Sequence, residues 1–258
     1  LPFNRAQRAW VARAAKKLDS TIAFGSTKPL NRPGDIFFLN SPFPPTKDEI
    51  EAHAPTPLVF GEGFVREPYA APSIFNISAM SYGALSGPAI EALSMGAAKS
   101  SVWLNTGEGG LSPHHQTAAC DLVFQIGTAK YGVRDEAGNL DPEKIKALTA
   151  IPQVKMFEIK LSQGAKPGKG GILPAEKVTD LIATTRGIPA GEDSISPNSH
   201  PELTDADSLL DLIDRVRSAS GKPTGIKLVL GQAAWLDDFC EAIHARGLAS
   251  APDFITVD

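Results

Sequence analysis

The chain has little cysteine: Cys120 and Cys240 are the two in 258 residues, and no Cys-x-x-Cys spacing occurs. That scarcity argues against a disulfide framework and against a zinc or iron–sulfur site, and favours free thiols in a reducing compartment. No run of 18 apolar residues is present, so no segment reads as a membrane-spanning helix. A basic excess is also missing, since 25 Lys and Arg stand against 29 Asp and Glu for a net charge of −4. Nucleic acid is therefore not an expected partner, because a surface that tracks phosphates concentrates positive charge. Hydrophobic content of 42% and charged content of 21% are those of a globular protein expected in the cytoplasm, with membrane anchoring by residues before Leu1 left open. The length suits one α/β barrel. The chain begins at Leu1 and closes on the strand-like run Phe254-Ile255-Thr256-Val257-Asp258, which reads as part of a longer polypeptide.

Residues 4–18 set Ala6, Trp10, Val11, Ala14 and Leu18 at helical spacing among Arg5, Arg8, Arg13, Lys16 and Lys17. This predicts an amphipathic surface helix, with a membrane-surface role as the alternative. Residues 26–73 are rich in proline yet keep Phe37, Phe38, Leu39, Val59 and Phe60 to bury, as an ordered wrapping segment would. From Ser73 onward the pattern alternates. Strands are expected over 73–80, 102–105, 121–126, 156–161, 225–230 and 254–258. Helices follow over 86–99, from Asp141, and over 174–186, 205–218 and 233–246, with a polar loop over 188–200. Alternation of this kind implies parallel pairing and right-handed crossovers. Functional-looking residues follow nearly every strand rather than gathering at one reversal point. The preferred architecture is thus an α/β (β/α)8 TIM barrel truncated after its sixth strand, over an open doubly wound sheet. Residues 1–72 form the irregular N-terminal extension and residues 73–258 the partial barrel.

Three motifs carry the chemistry. Glu158-Ile159-Lys160-Leu161-Ser162-Gln163-Gly164-Ala165-Lys166-Pro167-Gly168-Lys169-Gly170-Gly171 runs from a strand into a segment dense in glycine and lysine. Glycine lets backbone amides approach a ligand and lysine supplies positive charge for a carboxylate or phosphate. Asn105-Thr106-Gly107-Glu108-Gly109-Gly110 and Ser78-Ala79-Met80-Ser81-Tyr82-Gly83-Ala84-Leu85-Ser86 are the other two. Bland readings exist for each: a solvated basic loop, a flexible turn bearing a solvated acid, and a tight strand–helix turn.

In this order the motifs resemble the FMN-binding synthase domain of glutamate synthase, above all the shorter FMN-binding glutamate synthase family proteins, from about Pro72 to Asp258. The resemblance implies a flavin across the barrel mouth, with Ala79, Met80 and Ser81 passing beneath the isoalloxazine. Asn105 joins the cofactor side, and Glu108 faces flavin and keto acid, orienting ammonia or an imine. Gln125 both donates to and accepts from the pyrimidine edge. Lys160 points into the mouth. Gln163 and Lys166 grip the carboxylates of 2-oxoglutarate, and Lys166 counts with Glu108 as catalytic. Lys130 is a further carboxylate contact, at a position where the family more often has arginine. Lys227 reaches flavin N1 and O2 and stabilises the reduced anion, a strand-end salt bridge being its alternative. Ser196, Asn198, Ser199 and His200 line the rim. His114 and His115 are adjacent, so their side chains diverge, and no metal role is expected.

Two positions depart from the family: Ile172 stands where glutamate synthases have a substrate-contacting glutamine, and Lys169 where an acid is usual. The family's iron–sulfur cysteines and phosphate loops would lie beyond Asp258. The implied reaction is reductive amination of 2-oxoglutarate to L-glutamate, through 2-iminoglutarate reduced by FMN. No glutaminase nucleophile is visible, so ammonia and electrons would come from other subunits. An FMN enzyme acting on a different oxo or amino acid, and a non-catalytic barrel subunit, are the alternatives.

Overall fold

A computed structural model describes residues 4–16, 18, 41–52, 57–164, 168–231 and 233–258. The chain divides into two compact units, Leu1–Ala54 and Pro55–Asp258. In the first, α1 (Arg5–Ala15) opens on a capping box: the Asn4 side chain accepts from the Gln7 amide at 2.9 Å, and the Gln7 side chain accepts from the Asn4 amide at 2.9 Å. Both orphan donors are thereby satisfied. Trp10 and Val11 are exposed, and none of its residues is buried. A second short helix, α2 (Lys47–Ala52), follows. Phe37, Phe38 and Leu39 lie outside the described residues.

In the second unit the order is β1 (Leu58–Phe60), β2 (Tyr69–Ala71), α3 (Gly87–Ser100), β3 (Leu104–Asn105), β4 (Leu122–Ile126), α4 (Pro142–Thr149) and β5 (Val154–Lys160). Then come β6 (Ile172–Leu173), α5 (Asp180–Arg186), β7 (Ser194–Ile195), α6 (Ala206–Ser220), β8 (Thr224–Leu228), α7 (Ala234–Arg246) and β9 (Ile255–Val257). One sheet of five strands runs β3-β4-β5-β8-β9, with every pairing parallel. Each new strand joins the same growing edge, without the reversal that defines a doubly wound sheet.

The helix signals act locally as their chemistry requires. Asp141 caps α4 by accepting from the amides of Glu143 and Lys144, with Pro142 in the first turn. Asp205 and Ser208 form a capping box on α6, whose Leu209, Leu210, Leu212, Ile213 and Val216 are buried. That stripe packs on Phe124, Ile126, Phe157 and Ile159, the helix-facing side of β4 and β5. The alternate residues Val123 and Met156 face the other way, into a floor made with Phe60, Tyr69, Trp103 and Phe254. Phe60 meets Trp103 and Phe254 edge-on at 5.8 and 5.6 Å between centroids. The β1–β2 hairpin, inside the proline-rich segment, thus supplies part of the floor.

Above the floor, the Glu158 carboxylate of β5 accepts from Asn105 Nδ2 of β3 at 2.7 Å and from Thr256 Oγ1 of β9 at 2.6 Å. Both donors are two strands away, a separation of roughly 9–10 Å in a flat sheet. Side chains standing off a flat surface cannot close that gap, so the sheet is curled into half a barrel.

Three expectations need correction. The first strand, 73–80, is reduced to a bridge between Ile77 and Leu104. Ser73 Oγ instead turns the chain by accepting from the Phe75 amide, and the Asn76 side chain takes the Trp103 amide, which a strand would have given to backbone. The helix over 174–186 is broken into a 3-10 turn (Ala175–Lys177) and α5, because Thr179 caps anew by accepting from the Ile182 amide. The polar loop over 188–200 contains β7, which pairs antiparallel with β6.

Gly225 of β8 has no room for a side chain: a Cβ there would stand 2.5 Å from the Phe254 ring. Gly225→Ala should displace that ring and cost about 1–3 kcal/mol, read as a lower urea midpoint with unchanged slope. An unchanged midpoint would contradict a close-packed floor.

Candidate functional site

The carboxyl ends of the strands carry the polar side chains. Gln125 of β4 is in register with Glu158, Lys160 with Lys227 of β8, and Lys227 with Thr256. Gln125 Nε2 donates to Glu158 Oε1 at 2.6 Å, the atom that also receives Asn105. Asn105 Oδ1 accepts from the Gly107 amide at 2.9 Å, which directs the loop after β3. Gly107 has φ +66°, and a Cβ would lie 2.6 Å from the Ser81 amide nitrogen, so the loop can press on the Ala79-Met80-Ser81 segment only with glycine there.

That loop delivers Glu108. Gln163 Nε2 donates to both carboxylate oxygens of Glu108 at 2.8 and 2.9 Å, while Lys160 Nζ lies 3.0 Å from Gln163 Oε1 and 3.5 Å from Glu108. Lys227 Nζ pairs with Asp258 at 2.8 Å, so the strand-end salt bridge foreseen as its bland role is present.

Two cavities lie against these groups. One of about 260 Å³ is walled by Ala79, Asn105, Glu158, Lys227 and Thr256 above the aromatic floor. The other, about 240 Å³, is walled by Ser81, Glu108, Gln163, Ile172, Arg186 and Ser196. Of the expected residues, Ala79, Asn105 and Lys227 wall the first cavity and Ser81, Glu108 and Gln163 the second; Gln125, buried beside Glu158, and Lys160 wall neither, and Lys160 touches Glu108 and pairs in register with Lys227. A larger hollow of about 720 Å³ lies between α6 and α7, and of the expected residues the rim pair Ser199 and His200 wall it.

Met80 contributes its carbonyl, which accepts from His115 Nε2 at 2.8 Å. His115 Nδ1 takes the Ser112 amide, which fixes the Nε2–H tautomer, and His115 therefore anchors the segment beside the first cavity. His114 turns away to Glu91 at 2.7 Å. Lys130, buried and at φ +52°, is engaged by Glu202 at 3.1 Å and walls neither cavity. Lys166 lies outside the described residues. Ser196 accepts from the Gly171 amide at 2.7 Å, and His200 Nε2 donates to the Lys160 carbonyl at 2.9 Å.

Sequence reasoning missed Glu158 and Arg186. Glu158 opens the lysine-rich run, and its period-2 alternation with Met156 and Lys160 is the available signal for an inward carboxylate. Arg186 ends α5, 78 residues after Glu108 in sequence, and nothing local marked it. Its guanidinium donates to Ser194 Oγ at 2.8 Å, lies 5.0 Å over the Tyr131 ring, and keeps a buried Nε without a partner among the described residues.

Such an arrangement, with carboxylates, amides and cations converging at the carboxyl ends of sequential parallel strands, is that of an α/β ligand-binding mouth. The conserved region in glutamate synthase matches residues 44–258, and the chain belongs to the glutamate synthase family. Glutamate synthase large subunit-like protein YerD of Bacillus subtilis (strain 168) is 31% identical across 100% of the chain and 55% of its own length. A glutamate synthase large subunit-like protein of Rhizobium meliloti (strain 1021) is 34% identical over 74% of the chain and 40% of its own length. Archaeal glutamate synthase [NADPH] of Archaeoglobus fulgidus is 38% identical over 58% of the chain and 27% of its own length. The chain thus spans about half or less of these relatives.

Burial pushes the His115 and His200 rings below the ordinary histidine value of 6.5, favouring the neutral form. The unfolded chain takes up protons first as pH falls, so the stability these rings contribute is complete above about 6.5 and erodes below it. Tm should decline from about pH 6.5 downward, and less steeply in the H115Q/H200Q variant; identical slopes would contradict buried neutral rings.

Proposed function

We propose that the chain is the FMN-binding part of a glutamate synthase-type oxidoreductase, making L-glutamate by reductive amination of 2-oxoglutarate through 2-iminoglutarate. The observation that carries this reading is the Glu108–Gln163–Lys160 cluster set beside the Asn105–Gln125–Glu158–Lys227 layer. On this reading the half barrel belongs to a (β/α)8 barrel, with residues 1–72 as helix and wrapping segment. Iron–sulfur cluster, electron donor and ammonia supplier belong to other regions or subunits.

The residues suit a flavin. Gln125 Oε1 is a buried acceptor without a partner among the described residues, Lys227 offers a cation where a reduced ring gathers charge, and Ala79 leaves a flat wall. Asn105, Gln125, Lys160 and Lys227, with the Ala79-Met80-Ser81 backbone, would hold it. FMN, when bound, supplies the hydride that reduces the imine carbon.

The second cavity would hold the acid. Gln163 and Lys160 meet its carboxylates, Arg186 adds a buried cation, and Lys166 joins by family resemblance, while Lys130, held by Glu202 and walling neither cavity, takes no part. Ammonia adds to the keto carbon and water leaves. Glu108, held by both N–H contacts of Gln163, accepts an N–H of ammonia and returns a proton at the imine nitrogen. Ile172 favours a second reading, a different oxo or amino acid, because it walls this cavity and cannot hydrogen-bond a carboxylate.

The full-length protein should be yellow, bind FMN, and form glutamate from 2-oxoglutarate and ammonium with a reduced dye. Glu108→Gln should keep the flavin and lose about 100-fold or more in turnover. Bound FMN without glutamate formation supports the second reading; a colourless protein that FMN cannot reconstitute overturns both.

A further inference from the structure

Gln125 Oε1 is the most informative loose end in the molecule. The residue is 1% exposed, yet among the described residues this oxygen has no hydrogen-bond partner. Buried acceptors are seldom left so, because an orphaned acceptor forfeits the hydrogen bonds that water gives it. The amide cannot rotate to relieve it. Its Nε2 is held at 2.6 Å by Glu158 Oε1, and a carboxylate only accepts. Glu158 is held in turn, because Asn105 Nδ2 and Thr256 Oγ1 also donate to it at 2.7 and 2.6 Å, and Asn105 is fixed at its other end by the Gly107 amide. The carboxylate therefore dictates which end of Gln125 is available.

We propose that Glu158 is a positioning residue that presents Gln125 to the cofactor as an acceptor only. This rests on the flavin reading above and sharpens it. A freely turning glutamine could donate to either ring carbonyl or accept from N3–H. The locked one can only accept, and the N3–H between the two carbonyls is the donor that the flavin pyrimidine edge offers. Donation to the carbonyl oxygens then falls to cations such as Lys227, whose ammonium carries three donors, one directed at Asp258. The site accordingly selects a ring with a donor flanked by acceptors, and rejects the same ring when that donor is blocked.

The test compares FMN with 3-methyl-FMN, binding measured by quenching of flavin fluorescence on the full chain, and follows the N3 proton of [3-15N]FMN by NMR. Wild type should bind 3-methyl-FMN at least about tenfold more weakly than FMN and protect the N3 proton from exchange. In Glu158→Gln, where residue 158 offers both a donor and an acceptor, the Gln125 amide is free to turn. There the ratio should shrink to about threefold or less, with N3 protection lost and the circular dichroism unchanged. Equal affinities in wild type overturn the inference while leaving the flavin reading intact. An unchanged ratio in folded Glu158→Gln assigns discrimination to crowding and also overturns it. If the variant does not fold, Gln125→Met serves instead: N3 protection must disappear there, and its persistence refutes the proposal. Failure of FMN itself to bind wild type overturns inference and reading together.

Discussion

A single buried carboxylate ties the interior of the half barrel together. Glu158 takes donors from β3, β4 and β9, so it can be satisfied only when the sheet curls far enough to bring strands of different registers to one point. Burying an anion without such partners costs several kcal/mol. Curl, register and carboxylate are thus one constraint: flatten the sheet and the charge is stranded, remove the charge and three donors lose their acceptor. The aromatic floor below accepts the same geometry, with Gly225 making room for Phe254.

The rim is nearly neutral by construction. Lys160 faces Glu108, Lys227 faces Asp258, and Arg186 rests on Tyr131 with Ser194. Contacts of this kind hold long side chains in place without saturating them, since each ammonium keeps further donors. An anionic guest entering the cavity beside Glu108 would compete for Lys160 and Gln163 instead of having to organise them. Two histidines serve the same end from outside: His115 fixes the Met80 carbonyl and His200 the Lys160 carbonyl. Both work as neutral donors, which explains why burial suits them.

Much of this was legible in the sequence where the signal is local. Asp141-Pro142, Asp205 with Gly221, and the leucine stripe of α6 marked their helices because capping and 3.6-residue periodicity are nearest-neighbour physics. Asn105, Gln125 and Lys160 were expected at or near strand ends and Lys227 within a strand, while the parts assigned to them came from the family resemblance. The family relationship came from the length and order of three motifs. What was hidden is what depends on distant partners. Ile77 keeps only a bridge because Ser73 and Asn76 spend their side chains on backbone. The β6–β7 pair joins segments more than twenty residues apart without alternating pattern in either. Lys130 looked available by its chemistry, and only the fold shows that Glu202 engages it. Glu158 and Arg186 gain their character from strands and rings far off in sequence.

The central claim is that strand-tip amides and cations of this chain encircle a flavin and a small acid in adjoining cavities. A crystal structure of the full-length protein with FMN and 2-oxoglutarate tests it most directly. The account predicts the isoalloxazine beside Asn105, Gln125 and Lys227, with the acid against Glu108, Gln163 and Arg186. A ring seated in the hollow between α6 and α7, or the acid bound away from Glu108, would contradict it.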